Sequence, residues 1–153
     1  MSAVVSQDTQ ASKTAGIALP VVSLEHGKKS FGNTRVLRDI SLSIDKGDVL
    51  AIIGPSGGGK STLLRCLTLL ERLDGGTLAY GSLVVAKNED GAAHYGGPAV
   101  EHEARNRFGL VFQNFNLFPH YTVLENLCDP QIRVLKRSQK EAEARARKLL
   151  DRM

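Results

Sequence analysis

Four glycines, a lysine and two serines fall within eight residues, Gly54-Pro55-Ser56-Gly57-Gly58-Gly59-Lys60-Ser61. The stretch fits G-x-x-x-x-G-K-[ST] without a gap. Each residue type has its own physical use. Glycine accepts positive φ and carries no side chain, so successive backbone N–H groups can turn toward one point. Such a concave row of donors binds an anion. A helix beginning near Lys60 adds the unpaired N–H groups of its first turn and the positive end of its dipole. Lys60 supplies a full charge for the β- and γ-phosphates of a nucleotide. The Ser61 hydroxyl suits Mg²⁺, which keeps water and phosphate oxygens at its other positions. Thr62 can donate to an α-phosphate. A loop that merely joins two elements needs none of this combination. The stretch therefore reads as a nucleotide phosphate site.

The flanks must position it. Val49 to Ile53 is a continuous apolar run with no alternation, the pattern of a strand covered on both faces in a parallel sheet. Lys60 to Leu70 reads as a helix with Leu63, Leu64, Leu67 and Leu70 on one apolar face. Ile40 to Asp45 alternates apolar and polar residues, the mark of a half-exposed strand in an antiparallel sheet. Lys46-Gly47-Asp48 makes the turn between them. Thr77 to Ala86 gives strand segments broken at Gly81, and Lys87 to Gly97 a polar, glycine-rich loop. Pro98 to Arg107 is expected as a short helix entered at its proline, and Phe108 to Phe112 as another buried strand. Ser138 with Glu141 three residues on marks a capping box. Behind it Ala142, Ala146, Leu149, Leu150 and Met153 recur at helical spacing. Residues 1–20 are small, polar and unpatterned, and read as a flexible tail.

Bulk properties narrow the class. The chain has 153 residues, 42% hydrophobic and 24% charged, which is ordinary for one soluble globular domain. No apolar run approaches the ~18 residues of a membrane span, and the N-terminus lacks the basic-then-apolar pattern of a secretory signal. Cys66 and Cys128 have no metal or redox spacing and read as free thiols. His94, Glu101, His102 and Glu103 are too irregularly spaced for a metal site. The net charge of +4 is uneven, with eight basic residues against three acids from Gln131 onward. No aromatics interleave these charges to stack bases, so they read as a solvated helix face, with no nucleic acid as partner.

Beyond the loop itself, "KKSFGNTRVLRDISLSIDKGDVLAIIGPSGGGKSTLLRCLTLLE" closely resembles the ATP-binding subunits of ATP-binding-cassette (ABC) transporters. "RFGLVFQNFNLFPHYTVLENL" strengthens the resemblance, which runs from about Val21 to the last residue. "LLRCLTLLE" and "VFQNFNLFPHYTVLENL" are most similar to the importers of polar amino acids. The resemblance implies an α/β fold: a P-loop NTPase core with a parallel sheet, truncated, plus a small antiparallel β-subdomain. It implies a tail over 1–20 and an incomplete ATP-binding domain over 21–153. Phe31 matches an aromatic that stacks on adenine, although a core or turn aromatic is the plain alternative. Gly54, Pro55, Ser56, Gly57, Gly58, Gly59, Lys60, Ser61 and Thr62 match the phosphate loop, with Lys60 catalytic and Ser61 a metal ligand. Gln113 matches the glutamine that senses Mg²⁺ and the attacking water, a role that suits an amide's paired acceptor and donor. Phe115, Leu117, Phe118 and Tyr121 are either ordinary core or the apolar lining of a groove for a permease helix. The implied cofactors are ATP and Mg²⁺. The implied partners are membrane-spanning permease subunits, a second ATP-binding subunit and, indirectly, a solute-binding protein. The implied location is peripheral, on the cytoplasmic face of the inner membrane.

Three parts of the family pattern are missing. There is no Ser-Gly-Gly-Gln signature, no apolar strand ending in Asp-Glu, and no switch histidine; His120 lies too early for that role. Without strand-end acids, Mg²⁺ loses an anchor and the attacking water its base. The expectation is an N-terminal portion of an importer ATPase that binds nucleotide without turning it over. An open sheet edge and marginal stability are expected with it. The alternative is a non-catalytic, regulatory nucleotide-binding fragment.

Overall fold

The computed structural model describes residues 19–114 and 116–153, and divides into two compact units, one ending at Leu110 and the other spanning Val111–Met153. The expected tail is outside the described residues as far as residue 18, and so is Phe115.

The first unit is built on a five-stranded sheet: β1 (Val22–Phe31), β2 (Thr34–Ile44), β3 (Gly75–Tyr80), β4 (Leu83–Glu89) and β5 (Ala92–Tyr95). Its order is β2-β1-β3-β4-β5 and every neighbouring pair is antiparallel. The alternation read at Ile40–Ile44 is real: Leu42 is buried while Ser41 and Ser43 are exposed. β3 pairs with β1 across the chain segment that carries the phosphate loop, with Leu24 opposite Leu78. These two leucines, Val85 and Cys66 are the largest fully buried side chains. Each such apolar side chain contributes about 2 kcal/mol relative to exposure.

Two helices pack on this sheet's unit. α1 (Lys60–Leu67) buries Leu63, Cys66 and Leu67, the i, i+3, i+4 set of one face. Leu64 and Leu70 are exposed, so the apolar stripe runs through Cys66 rather than Leu64, and the helix ends before Leu70. α2 (Pro98–Arg105) begins at its proline as read from sequence. Its buried Glu101 takes Arg72 at 2.5 Å and Arg105 at 3.1 Å, which accounts for that carboxylate without a metal. No group of His, Cys, Asp or Glu among the described residues could hold a metal ion.

Three sequence readings are corrected. Val49–Ile53 forms no strand; Val49 is 97% exposed and Ile53 71% exposed. Phe108–Phe112 forms none either. A parallel strand needs hydrogen-bonding neighbours on its edges, and among the described residues neither run has one. The parallel part of the expected sheet is therefore not formed, while the antiparallel subdomain is. Phe108 instead stacks on Tyr80, ring centroids 5.4 Å apart. The supposed loop at 87–97 is largely a hairpin. Asp90 and Gly91 have φ of 51° and 85°, the left-handed pair of a two-residue turn joining β4 to β5.

The second unit is a helical hairpin of α3 (Val123–Arg133) and α4 (Gln139–Leu150). Cys128, Ala142 and Ala146 form its buried centre, with Leu124, Leu127 and Ile132 packed around them. The two alanines, four apart, give α4 a narrow face on which α3 can sit closely. Ser138 caps α4 by accepting from the Glu141 N–H at 3.3 Å. The complete capping box is at α3: Thr122 Oγ1 accepts from Glu125 N–H at 3.2 Å, and Glu125 Oε2 accepts from Thr122 N–H at 2.7 Å. No described helix is long and apolar enough to cross a membrane.

Candidate functional site

The phosphate loop leaves Ile53 and ends in α1, as the glycine pattern requires. Gly57 and Gly59 have φ of 77° and 85°. Gly59 is the N-cap of α1 and offers no side chain to its first turn, and that turn contains no acidic residue. An anion there competes with no carboxylate of the helix itself, and it meets the positive end of the dipole. Gly58 N–H closes a turn onto Pro55 O at 3.1 Å, and Leu63 N–H bonds Gly59 O at 2.8 Å. Lys60 Nζ donates to Gly54 O and to Pro55 O, each at 2.8 Å. The side chain thus spans the loop and ties its end to its beginning, leaving a curve of backbone with a cation inside it. Among the described residues Lys60 has no carboxylate partner. Ser61 is exposed and Thr62 half-buried on the first turn of α1.

The β1–β2 hairpin backs the loop. A Cβ placed on Gly59 would lie 3.1 Å from Val36 Cγ1 and 3.3 Å from Leu37 Cδ2. The same hairpin carries Phe31 at the end of β1, opposite Thr34. Phe31 is 49% exposed, so it is not a core aromatic. Beneath it is Lys29, whose ammonium stands 5.2 Å from the ring centroid. Sequence reading passed over Lys29. Its signal was the Lys-x-Phe spacing, which puts both side chains on one face of a strand. A cavity of about 830 Å³ opens elsewhere on this unit, lined in part by Lys28, Arg35, Arg38 and Asp74. None of Gly54–Thr62 lines it.

Gln113 belongs to the second unit, where it is exposed in a turn ahead of α3. Leu117 and Phe118 are exposed and Tyr121 is half-buried. Phe118, His120 and Tyr121 form an aromatic cluster with centroid separations of 4.8–6.0 Å. A groove of about 600 Å³ runs beside it, lined by Leu117, Val123, Leu127, Leu149, Leu150 and Met153 among others. Leu117 and Phe118 are therefore surface rather than core, and Phe115 lies outside the described residues.

Comparison with known proteins agrees with this geometry. Residues 37–153 match the family described as ABC transporter. The arginine transport ATP-binding protein ArgV of Corynebacterium glutamicum is 43% identical over 126 residues, covering 82% of this chain and 50% of that protein. The L-cystine transport system ATP-binding protein TcyN of Escherichia coli is 40% identical over 132 residues, covering 86% and 52%. Among solved structures, a dimeric bacterial ABC transporter cassette superposes with a TM-score of 0.66 at 28% identity, over 85% of this chain and 56% of that one. The same cassette type bound to ADP and Pi, in a post-hydrolysis state, gives 0.65 at 30% identity. The chain spans about half the length of the curated relatives it matches. With its glycine loop ahead of α1, the hairpin behind that loop and the match over residues 37–153, this chain belongs to the ABC transporter family.

Proposed function

We propose that this chain carries the nucleotide-binding half of an ATPase subunit that energises import of a polar amino acid. The observation that carries the reading is the Gly54–Thr62 loop, bridged by Lys60 and opening on an α1 N-terminus that has no acid and no side-chain cap. The named relatives that serve arginine and L-cystine transport support the substrate class.

In this reading ATP binds with its phosphates in the loop and its adenine against Phe31. Lys60 and the loop N–H groups offset the charge of the phosphates. The Ser61 hydroxyl, on the first turn of α1, would hold Mg²⁺, and the ion would supply neutralisation of the charge that develops on the transferring phosphoryl group. A hydroxyl is a hard donor suited to that ion, and the Gln113 amide oxygen is a donor of the same class. The apolar groove beside Leu117 and Val123 receives a helix of a membrane-spanning permease, and a second ATP-binding subunit completes the working unit at the cytoplasmic face of the membrane. The 153 residues alone are expected to bind MgATP without turning it over, because no apolar run in this sequence ends in the Asp-Glu pair that would anchor Mg²⁺ and activate the attacking water.

Calorimetric titration with MgATP tests this. Binding is expected, weakened at least about tenfold by Lys60→Ala, with no steady phosphate release from either protein. Absence of binding would overturn the site. Turnover that Lys60→Ala abolishes would overturn the claim of binding alone.

A further inference from the structure

Lys29 is a charged side chain inside the first unit, 8% exposed. Its ammonium bonds Glu71 Oε1 at 2.9 Å and Asp74 Oδ1 at 3.3 Å. Asp74 is fixed in turn, since its Oδ2 accepts from Ser30 N–H at 2.6 Å. Burial alone would favour the neutral amine, but hydrogen bonds to Glu71 and Asp74 and their charges outweigh it and hold Lys29 protonated. The cation is therefore pinned from the residues just beyond α1 and points at one face of the Phe31 ring, 5.2 Å from its centroid.

A half-exposed phenylalanine at a hairpin tip has few neighbours to hold its χ angles. An ammonium over a ring is attracted to the negative face of its π system. That attraction fixes the ring plane and leaves the other face for a ligand. Losing such orientation costs affinity in proportion to the ordering the ligand must then supply.

We propose that Lys29 is a positioning residue for adenine: it seats the Phe31 ring from behind so that a purine stacks on the opposite face. The inference rests on the reading of Phe31 as the adenine partner. Lys29 touches no part of the nucleotide in this arrangement. Its effect is confined to the base, and the phosphate loop does not depend on it.

The test compares MgATP with magnesium tripolyphosphate, which has the phosphates and no base. The chain contains no tryptophan, so Phe31→Trp adds a unique fluorophore whose quenching reports stacking. Lys29→Met is expected to weaken MgATP binding about threefold to tenfold, to leave tripolyphosphate within about twofold, and to reduce quenching of Trp at 31. Glu71→Gln, which keeps the cation, is expected to keep the preference for ATP. Where Lys29→Met does not fold, the double variant Lys29→Met/Glu71→Leu removes the buried charge with the nearer of its two partners, leaving Asp74 on the Ser30 N–H, and the same losses are expected. Equal loss of both ligands would mean a structural role only and would overturn the proposal. An unchanged preference in Lys29→Met, where Phe31→Ala abolishes it, would overturn the proposal and leave Phe31 as the adenine partner. A preference unaffected by Phe31→Ala would overturn the stacking reading itself.

Discussion

Asn126 on α3 holds the backbone of Phe118 from both sides. Its Oδ1 accepts from Phe118 N–H at 2.8 Å, and its Nδ2 donates to Phe118 O at 3.2 Å. The same Nδ2 reaches Thr122 O at 3.0 Å and Tyr121 O at 3.3 Å. One amide thus ties Phe118, Tyr121 and Thr122 to α3. Asn126→Ala is expected to cost about 1–3 kcal/mol, since several hydrogen bonds go at once. Asn126→Asp, which turns a carboxylate oxygen toward three backbone carbonyls, should cost at least as much. Urea unfolding followed by circular dichroism measures this, and an Asn126→Ala protein as stable as the parent would contradict it.

Gly59 has little room for a methyl group. Val36 Cγ1 and Val36 O would stand at 3.1 and 3.2 Å from its Cβ, and its φ is 85°. Gly59→Ala should therefore lose about 1–2 kcal/mol from the left-handed backbone alone, with crowding added, and should not bind MgATP. Gly54→Ala is the control for stability, because its Cβ would meet nothing within 4 Å and its φ is ordinary. Thermal melting of the two variants should separate clearly; equal melting temperatures would refute the crowding.

These two sites show what sequence makes legible. The loop stands out in the sequence because the chemistry proposed for it is local: eight consecutive residues supply the donors, the cation and the hydroxyl. α1 was readable in position, but the identity of its buried face was not, because Leu64 and Cys66 are both apolar and only the sheet decides between them. Val49–Ile53 looked like a strand because its composition suits burial on two faces. Composition does not supply hydrogen-bonding neighbours, and none is present among the described residues. The Asp90-Gly91 turn carried a plain hairpin signal that polar surroundings concealed. The clamp of Asn126 and the cation under Phe31 depend on contacts between elements, and no local pattern announces their geometry.

The ion pair of Lys29 and Glu71 sets a pH window. A hydrogen bond from Lys29 holds the Glu71 carboxyl below its ordinary value of 4.5. That contribution is complete above the unfolded value and is lost as pH falls through the folded one. Lys29 itself lies above its ordinary 10.5, so its contribution is complete below that value and is lost as pH rises through the folded one. The stability advantage of the parent over Glu71→Gln should be level from about pH 6 to pH 9 and shrink in acid. Denaturant midpoints across pH would show it. An advantage that persists unchanged at pH 3 would count against the pairing.

Cys66 has no exposed surface, and burial pushes its thiol up to about 11. At pH 8 only about one molecule in a thousand carries the thiolate. Ellman's reagent should react with Cys66 at least about a hundredfold faster in urea than in buffer. Cys128 is buried as well, so neither free thiol of the folded chain should react promptly. Prompt stoichiometric labelling of the native protein would sink this account.

The order of strands has a consequence for how the chain acquires its site. β1 with β2, and β3 with β4 and β5, are each assembled from neighbours in sequence. The pairing of β1 with β3 alone is distant, with Lys28 opposite Gly75. Everything between them, the phosphate loop and α1 included, is a closure that this pairing must complete. Local hairpins form in microseconds, whereas a long closure must lose its entropy before any contact repays it. In refolding, strand signal should thus precede nucleotide affinity. The binding loop is the last part of its unit to become itself.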